Sequence, residues 1–596
     1  MSSVPDRSEI DEQYKWDLES VYATDEDWEA AYEEVESLVD RLAGYEGEAT
    51  ADADTLRTVL ELRDETMRKL STVHAYARMR RDEDTTNQEY QALTTRAQSL
   101  ASDASAAASF VEPEIQDAGR ETIEAYVEAD STLERYEHYV DDVLRQAAHT
   151  RSTEIESLLA DLGEVTGSPG EIYSMLANAD IEFPTVEDPD GEGVEITQSN
   201  FTTLQKEPDR EFRQRVYEAY YDEWSEYRNT VGTAYRASVT SDVELARAHE
   251  YDTAREAALD DSNIPTAVYD TLVDTVRDNL DTLHRHAELK QEALGVDDLR
   301  MWDVYMPMTE SESPTVEYQE AREHVIEAVG ALGEDYQSRV AEGLDSRWVD
   351  VYENAGKRSG AYSSGTYDTQ PFILMNYQND VSSMYTLAHE LGHSLHSQYT
   401  GEQQPYVYSN YEIFVAEVAS TVNEALLTHH LLDTVEDEQF RRHVLNQYLE
   451  GFRSTLYRQT MFADFEHRAH EMAENDRPLT PDALDELYHD LKSEFYEPAV
   501  VDDRIAREWM RIPHFYRAYY VFQYATGISA AAALARDILE KGQPAADRYL
   551  EFLSKGSREY PLELLRGAGV DMASADPIES ALGLYDEYLD EMETLL

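Results

Sequence analysis

Cysteine is absent from the 596-residue chain, which removes disulfide frameworks and thiol catalysis from consideration. Lysine is scarce, confined to Lys15, Lys69, Lys206, Lys290, Lys357, Lys492, Lys541 and Lys555. Acidic residues number 124 against 49 basic ones, a formal net charge of −75, and such a surface argues against nucleic acid as a partner. Long apolar runs are missing too. The alanine-rich stretch near 528–534 is broken by Arg536 and Asp537, so no membrane span is expected. Met1 to Arg7 holds no apolar signal region, and the expectation is a soluble, cytoplasmic protein. The acid is spread along the whole chain instead of forming one tail. That pattern suits a salt-rich cytoplasm in which counterions screen self-repulsion, so a halophilic source is expected.

Against this background one motif stands out. His389-Glu390-Leu391-Gly392-His393 is HExxH, two histidines four apart with a glutamate after the first. Residues four apart on a helix sit one above the other, so both imidazoles can address one metal ion. Glu390 is rotated off that face, where it can act on a water as general base. Val381, Met384, Leu387, Leu391 and Leu395 recur at helical spacing, and Asp380, Ser382 and Ser383 supply caps, so an amphipathic helix is expected. His396 cannot be the third ligand, because seven residues of helix rise about 10 Å. A carboxylate from the next helix is the better source. Glu417 and Glu424 lie two turns apart within the apolar run Phe414 to Leu426. Carboxylates there serve a purpose or else form a solvated face. Glu417 is the expected third ligand, and Glu424 is expected to orient a ligating imidazole.

These strings, His389 to His396 followed by Phe414 to Thr421, resemble the oligoendopeptidase F branch of the thimet-oligopeptidase-like zinc metallopeptidase family. Tyr14 to Tyr22, Gly356 to Tyr362, Asp303-Val304-Tyr305 and the tyrosine-rich segment 512–527 carry the same resemblance, so it covers nearly the whole chain. It implies a mainly α, two-lobed helical zincin with a deep substrate cleft. It implies one Zn2+ per chain and cleavage of short unfolded oligopeptides. It also implies a histidine and tyrosines that face the metal: His514 and Tyr519 match that pattern, and Tyr524 does so less cleanly. Which of Tyr516, Tyr520 and Tyr524 faces the site stays open. So do two other readings, a zinc carboxypeptidase or dipeptidase with the same core, and a non-catalytic peptide-binding protein.

Helical periodicity dominates elsewhere, as in Trp28, Tyr32, Val35, Leu38/Val39 and Leu42. Two β-prone runs about Asp188-Pro189-Asp190-Gly191 read as a hairpin. A soft boundary just after it gives an N-terminal helical domain, 1–200, and a catalytic domain, 201–596. Pro371 to Tyr377 reads as a short strand leading into the HExxH helix. It is either an exposed edge that pairs with extended substrate or a buried core strand. The segment from Pro513 to Tyr524 reads as one helix with overlapping polar-tipped aromatic faces.

Overall fold

A computed structural model describes residues 4–309 and 313–596; Met1 to Ser3 of the N-terminal stretch discussed above lie outside the described residues. The chain is 71% helical, the mainly α class that the periodicity implies. Two compact units are each assembled from three stretches of sequence. The first takes residues up to 148, then 315–434 and 534–570; the second takes 149–314, 435–533 and 571–596. These cuts fall elsewhere than residue 200, because elements distant in sequence complete each core.

In the first unit, α1 (Asp25–Ala43), α2 (Ala53–Glu83) and α3 (Gln88–Ala108) pack together. Thr24 caps α1 by accepting the Asp27 amide, and Asp25, Glu26 and Asp27 complement the positive end of the helix. The buried face of α1 holds Trp28, Val35, Leu38, Val39 and Leu42, the stripe expected from its spacing. Trp28 donates its indole N–H to the Val73 carbonyl, 2.9 Å away. The same core includes Trp16, Tyr76, Phe372 and Leu374, so the N-terminal helices are packed on the strand that feeds the HExxH helix.

The hairpin is formed by β1 (Thr185–Glu187) and β2 (Gly193–Glu195), antiparallel with Val186 opposite Val194. Asp188 caps its turn, its carboxylate accepting the amides of Asp190 and Glu192. A second sheet has the order β3 (Val349–Asp350), β5 (Phe372–Leu374), β4 (Tyr362–Ser364). The expected strand at Pro371 to Tyr377 is therefore the buried central strand, all of Phe372, Ile373 and Leu374 being inaccessible; β3 and β4 are the edges. On β3, Asp350 pairs with Lys357 at 2.6 Å and Arg7 at 2.5 Å. The two cations hold its carboxyl below the ordinary carboxylate range despite the opposing effect of burial. Removing one partner from such a buried pair costs about 3–5 kcal/mol.

The second unit is rich in buried aromatics, among them Tyr217, Tyr220, Tyr221, Trp224, Tyr235 and Tyr269. Arg210 and Arg213, on the helix Arg210–Glu226, clamp the buried Asp303 at 2.7 and 2.8 Å. Glu508 is a second buried anchor. It accepts hydrogen bonds from Arg458, Tyr488 and Lys492 at 2.7, 2.7 and 2.8 Å. Among the described residues, no helix is long and apolar enough to cross a membrane.

Candidate metal centre and the tyrosine segment

Asp380 starts the HExxH helix, Val381–Gln403, by accepting the Ser383 amide at 2.7 Å. Its buried stripe runs through Val381, Met384, Leu387, Leu391 and Leu395. The neighbouring helix, Ile413–Thr434, crosses it at Gly392. A Cβ there would lie 2.6 Å from the Ala419 carbonyl oxygen and the Ser420 Cα, so only glycine permits this approach. Asn423 fastens the crossing by donating to the Ala388 carbonyl at 3.1 Å and accepting from the Tyr336 hydroxyl at 3.1 Å.

That close approach brings the expected ligands together. Nε2 of His389 lies 3.2 Å from Nε2 of His393, and Glu417 Oε2 is 3.4 and 3.5 Å from the two. Donors about 2 Å from a common ion and at tetrahedral angles to one another have separations of this size. Their candidate ligand atoms form the one metal-competent cluster of His, Cys, Asp and Glu among the described residues. All three side chains are about a fifth to a quarter exposed, leaving room for a further ligand. His396 is outside the cluster. It is buried, its ring stacked 3.7 Å from Tyr411, and burial drops its pKa to about 3.

Electrostatics fit the same use. Glu424 Oε1 accepts from Nδ1 of His389 at 2.6 Å, which fixes the tautomer and turns Nε2 toward the other donors. Burial alone would lower the pKa of His389, yet the hydrogen bond and charge of Glu424, with Glu417 and Glu390, push it up to about 9. Burial likewise would raise Glu417, but the imidazoles and the Ser420 hydroxyl, 2.9 Å away, hold it at about 2. Glu390 turns away from the ligand face, buried, and burial raises its pKa against the opposing pull of His389 and His393. The backbone of Ser363 on β4 opposes that rise, and the hydroxyls of Ser363 and Ser394 are 2.9 Å apart.

Against this geometry the comparisons are decisive. The model of peptidase family M3 matches residues 203–584, and that of oligopeptidase F matches 114–183. The chain belongs to peptidase family M3. Oligopeptidase PepF of Bacillus subtilis is 45% identical over 596 residues, covering 100% of this chain and 89% of that protein. The group B oligopeptidase PepB of Streptococcus agalactiae is 41% identical, with 99% and 98% covered. The crystal structure of oligoendopeptidase-F from Enterococcus faecium superimposes with a TM-score of 0.74 at 36% identity, covering 96% of this chain and 99% of that one. Membership makes the protein a metal-dependent oligopeptidase of the M3 family.

The tyrosine segment of this M3 member lies in the second unit and departs from the expected helix. Pro513–Tyr516 is a single 3-10 turn, and a regular helix begins only at Phe522. Between them Tyr519 takes φ +54°, a left-handed conformation that costs a bulky residue about 1–3 kcal/mol. The kink reverses alternate side chains. Tyr519 is 2% exposed, its ring 4.8 Å from that of His470 and its hydroxyl 3.4 Å from His467 Nδ1. Tyr520 and Tyr524 instead remain partly exposed with His514. The His514 ring stacks at 6.0 Å and 6° on Tyr520 and meets Tyr524 edge-on at 6.0 Å, and the two tyrosine hydroxyls are 3.5 Å apart. Burial, with Arg458 and Arg517 nearby, lowers the pKa of His514. Of the residues expected from sequence, His514 and Tyr524 stand in this cluster and Tyr519 is directed inward. Tyr520, one of the tyrosines that the sequence left open, stands there beside His514 instead. Tyr516 is packed on Tyr173, ring centroids 4.5 Å apart.

Proposed function

We propose that the protein is a zinc-dependent endopeptidase acting on short unfolded oligopeptides, with His389, His393 and Glu417 as ligands and Glu390 as general base. The observation that carries this is the mutual 3.2–3.5 Å spacing of the three donor atoms beside a buried, non-ligating Glu390. A bound zinc ion supplies Lewis acidity, bringing a water's pKa to near neutrality and polarising the scissile carbonyl. Glu390 removes the proton of the attacking water and delivers it to the leaving amine. Its raised pKa suits both halves of that transfer. Glu424 keeps His389 in the ligating tautomer. β4, an outer strand of its sheet, is the strand assigned to pair with extended substrate backbone, a mode of binding that reads length and conformation more than side chains. His514, Tyr520 and Tyr524 are assigned the donors that steady the negative charge developing on the peptide oxygen.

The test is a short peptide blocked at both ends, assayed with and without chelator. Internal cleavage that a chelator abolishes supports the proposal, whereas an intact blocked peptide points to a carboxypeptidase. In Glu390→Gln, turnover should fall by about 100- to 10,000-fold with one metal ion retained per chain. Near-parental hydrolysis by that variant refutes the role of Glu390.

A further inference from the structure

The carboxyl of Glu466 is wholly buried on the helix Arg458–Glu474, and the roles assigned so far give it no task. Its Oε1 accepts the Tyr519 amide N–H at 2.9 Å. Its Oε2 is buried with no hydrogen-bond partner. A fully buried carboxylate with one bare oxygen is unfavourable, whereas a neutral acid presenting a carbonyl oxygen to one N–H is well satisfied. Burial accordingly pushes its pKa up to about 8, against the pull of His470 and the Tyr519 amide and with Asp242 adding to the rise. His470 contacts Asp242 at 3.2 Å, and the remaining neighbours include the neutral phenols of Tyr235, Tyr269 and Tyr519.

We infer that Glu466 is a positioning residue: by accepting the Tyr519 amide it holds the left-handed turn that sends Tyr519 inward and leaves Tyr520 and Tyr524 beside His514. This rests on the reading that His514 and Tyr520 serve the reaction. The physical reason is local. A tyrosine at positive φ relaxes toward negative φ unless something fixes its peptide plane. Here the fixing contact is a hydrogen bond to a rigid helix, and Tyr520 is the next residue along. Without the acceptor, the buried amide is orphaned and relief comes by rotating the plane that carries Tyr520.

Steady-state cleavage of a blocked peptide by the full-length, metal-loaded chain tests this. Glu466→Gln keeps a neutral acceptor oxygen and is expected within about threefold of the parent, since the accepted bond survives. Glu466→Leu has no acceptor and is expected to lose roughly 100-fold in kcat, the loss seen when an oxyanion donor is removed, at unchanged KM and metal content. In a Tyr520→Phe background the same substitution should cost less than about threefold, because residues acting as one unit are non-additive. Equal losses in both backgrounds, or a Gln variant as damaged as the Leu variant, overturn the inference. Parental kcat in Tyr520→Phe alone overturns instead the reading on which it rests. If Glu466→Leu does not fold, amide exchange at Tyr519 in the parent decides: strong protection supports the bond, and exchange at the solvent rate overturns it.

Discussion

The candidate metal cluster and the tyrosine segment are built in opposite ways. His389, His393, Glu417 and Glu424 sit on two regular helices, where spacing in sequence converts directly into direction in space. His514, Tyr519, Tyr520 and Tyr524 sit on a 3-10 turn, a left-handed residue and the start of a helix, where it does not. Periodicity is thus a reliable guide to a site only while the backbone stays in one conformation. One residue at positive φ sends Tyr519 inward and leaves Tyr520 beside His514.

Five substitutions would break or sharpen that contrast. The largest effect belongs to the regular side: Glu417→Ala removes a ligand, so metal should dissociate on dialysis and peptide cleavage fall to the background of chelated enzyme. Retained stoichiometric metal would sever Glu417 from the cluster. On the irregular side, Tyr520→Phe should lower kcat by about 100-fold, while Tyr519→Phe, whose hydroxyl lies 3.4 Å from His467, should change it by no more than about threefold. The reverse ranking would restore Tyr519 as the donor. Glu424→Gln keeps the side chain's shape but weakens its grip on His389, and metal affinity measured by competition should drop about 10- to 100-fold. Gly392→Ala forces the two helices apart, and the overpacking should cost about 1–3 kcal/mol in thermal or denaturant unfolding. An unaltered midpoint would show that the helix crossing is more pliant than its 2.6 Å approach implies.

A smaller, pH-dependent effect separates the two buried glutamates of the second unit. Glu466 is raised from 4.5 to about 8, so the folded chain keeps a proton that the unfolded chain has lost across that window. Stability therefore declines as pH climbs from about 4.5 to about 8 and levels off above. Glu508 is displaced the other way, burial being outweighed by Lys492, Arg458 and Arg511, so its stabilisation is present above the ordinary carboxylate range and lost only in acid. Urea unfolding of Glu466→Gln beside the parent should show the variant gaining, relative to the parent, between pH 5 and pH 9. A constant difference would mean that Glu466 titrates normally.

Legibility in the sequence follows the same physical division. The α1 stripe, the hairpin about Asp188 to Gly191, the HExxH helix with its Asp380 cap and the glutamates of the next helix were all readable, because each is set by contacts within a few turns of chain. The division into compact units was not, since 315–434 and 534–570 join the N-terminal helices through contacts hundreds of residues apart. Nor could Phe372–Leu374 be separated from an edge strand, because apolar content alone does not say which neighbours flank it.

By itself, then, the sequence determined a mainly helical, acid-rich chain with two imidazoles and a base on one helix, and a carboxylate pair to meet them. Only tertiary structure decided that Gly392 lets the second helix come close enough for Glu417 to complete the cluster. It also decided that a buried acid on a distant helix, Glu466, receives the Tyr519 amide. Local patterns record what the backbone does to its own side chains; close approach and hydrogen bonding between remote segments are fixed only when the cores have formed.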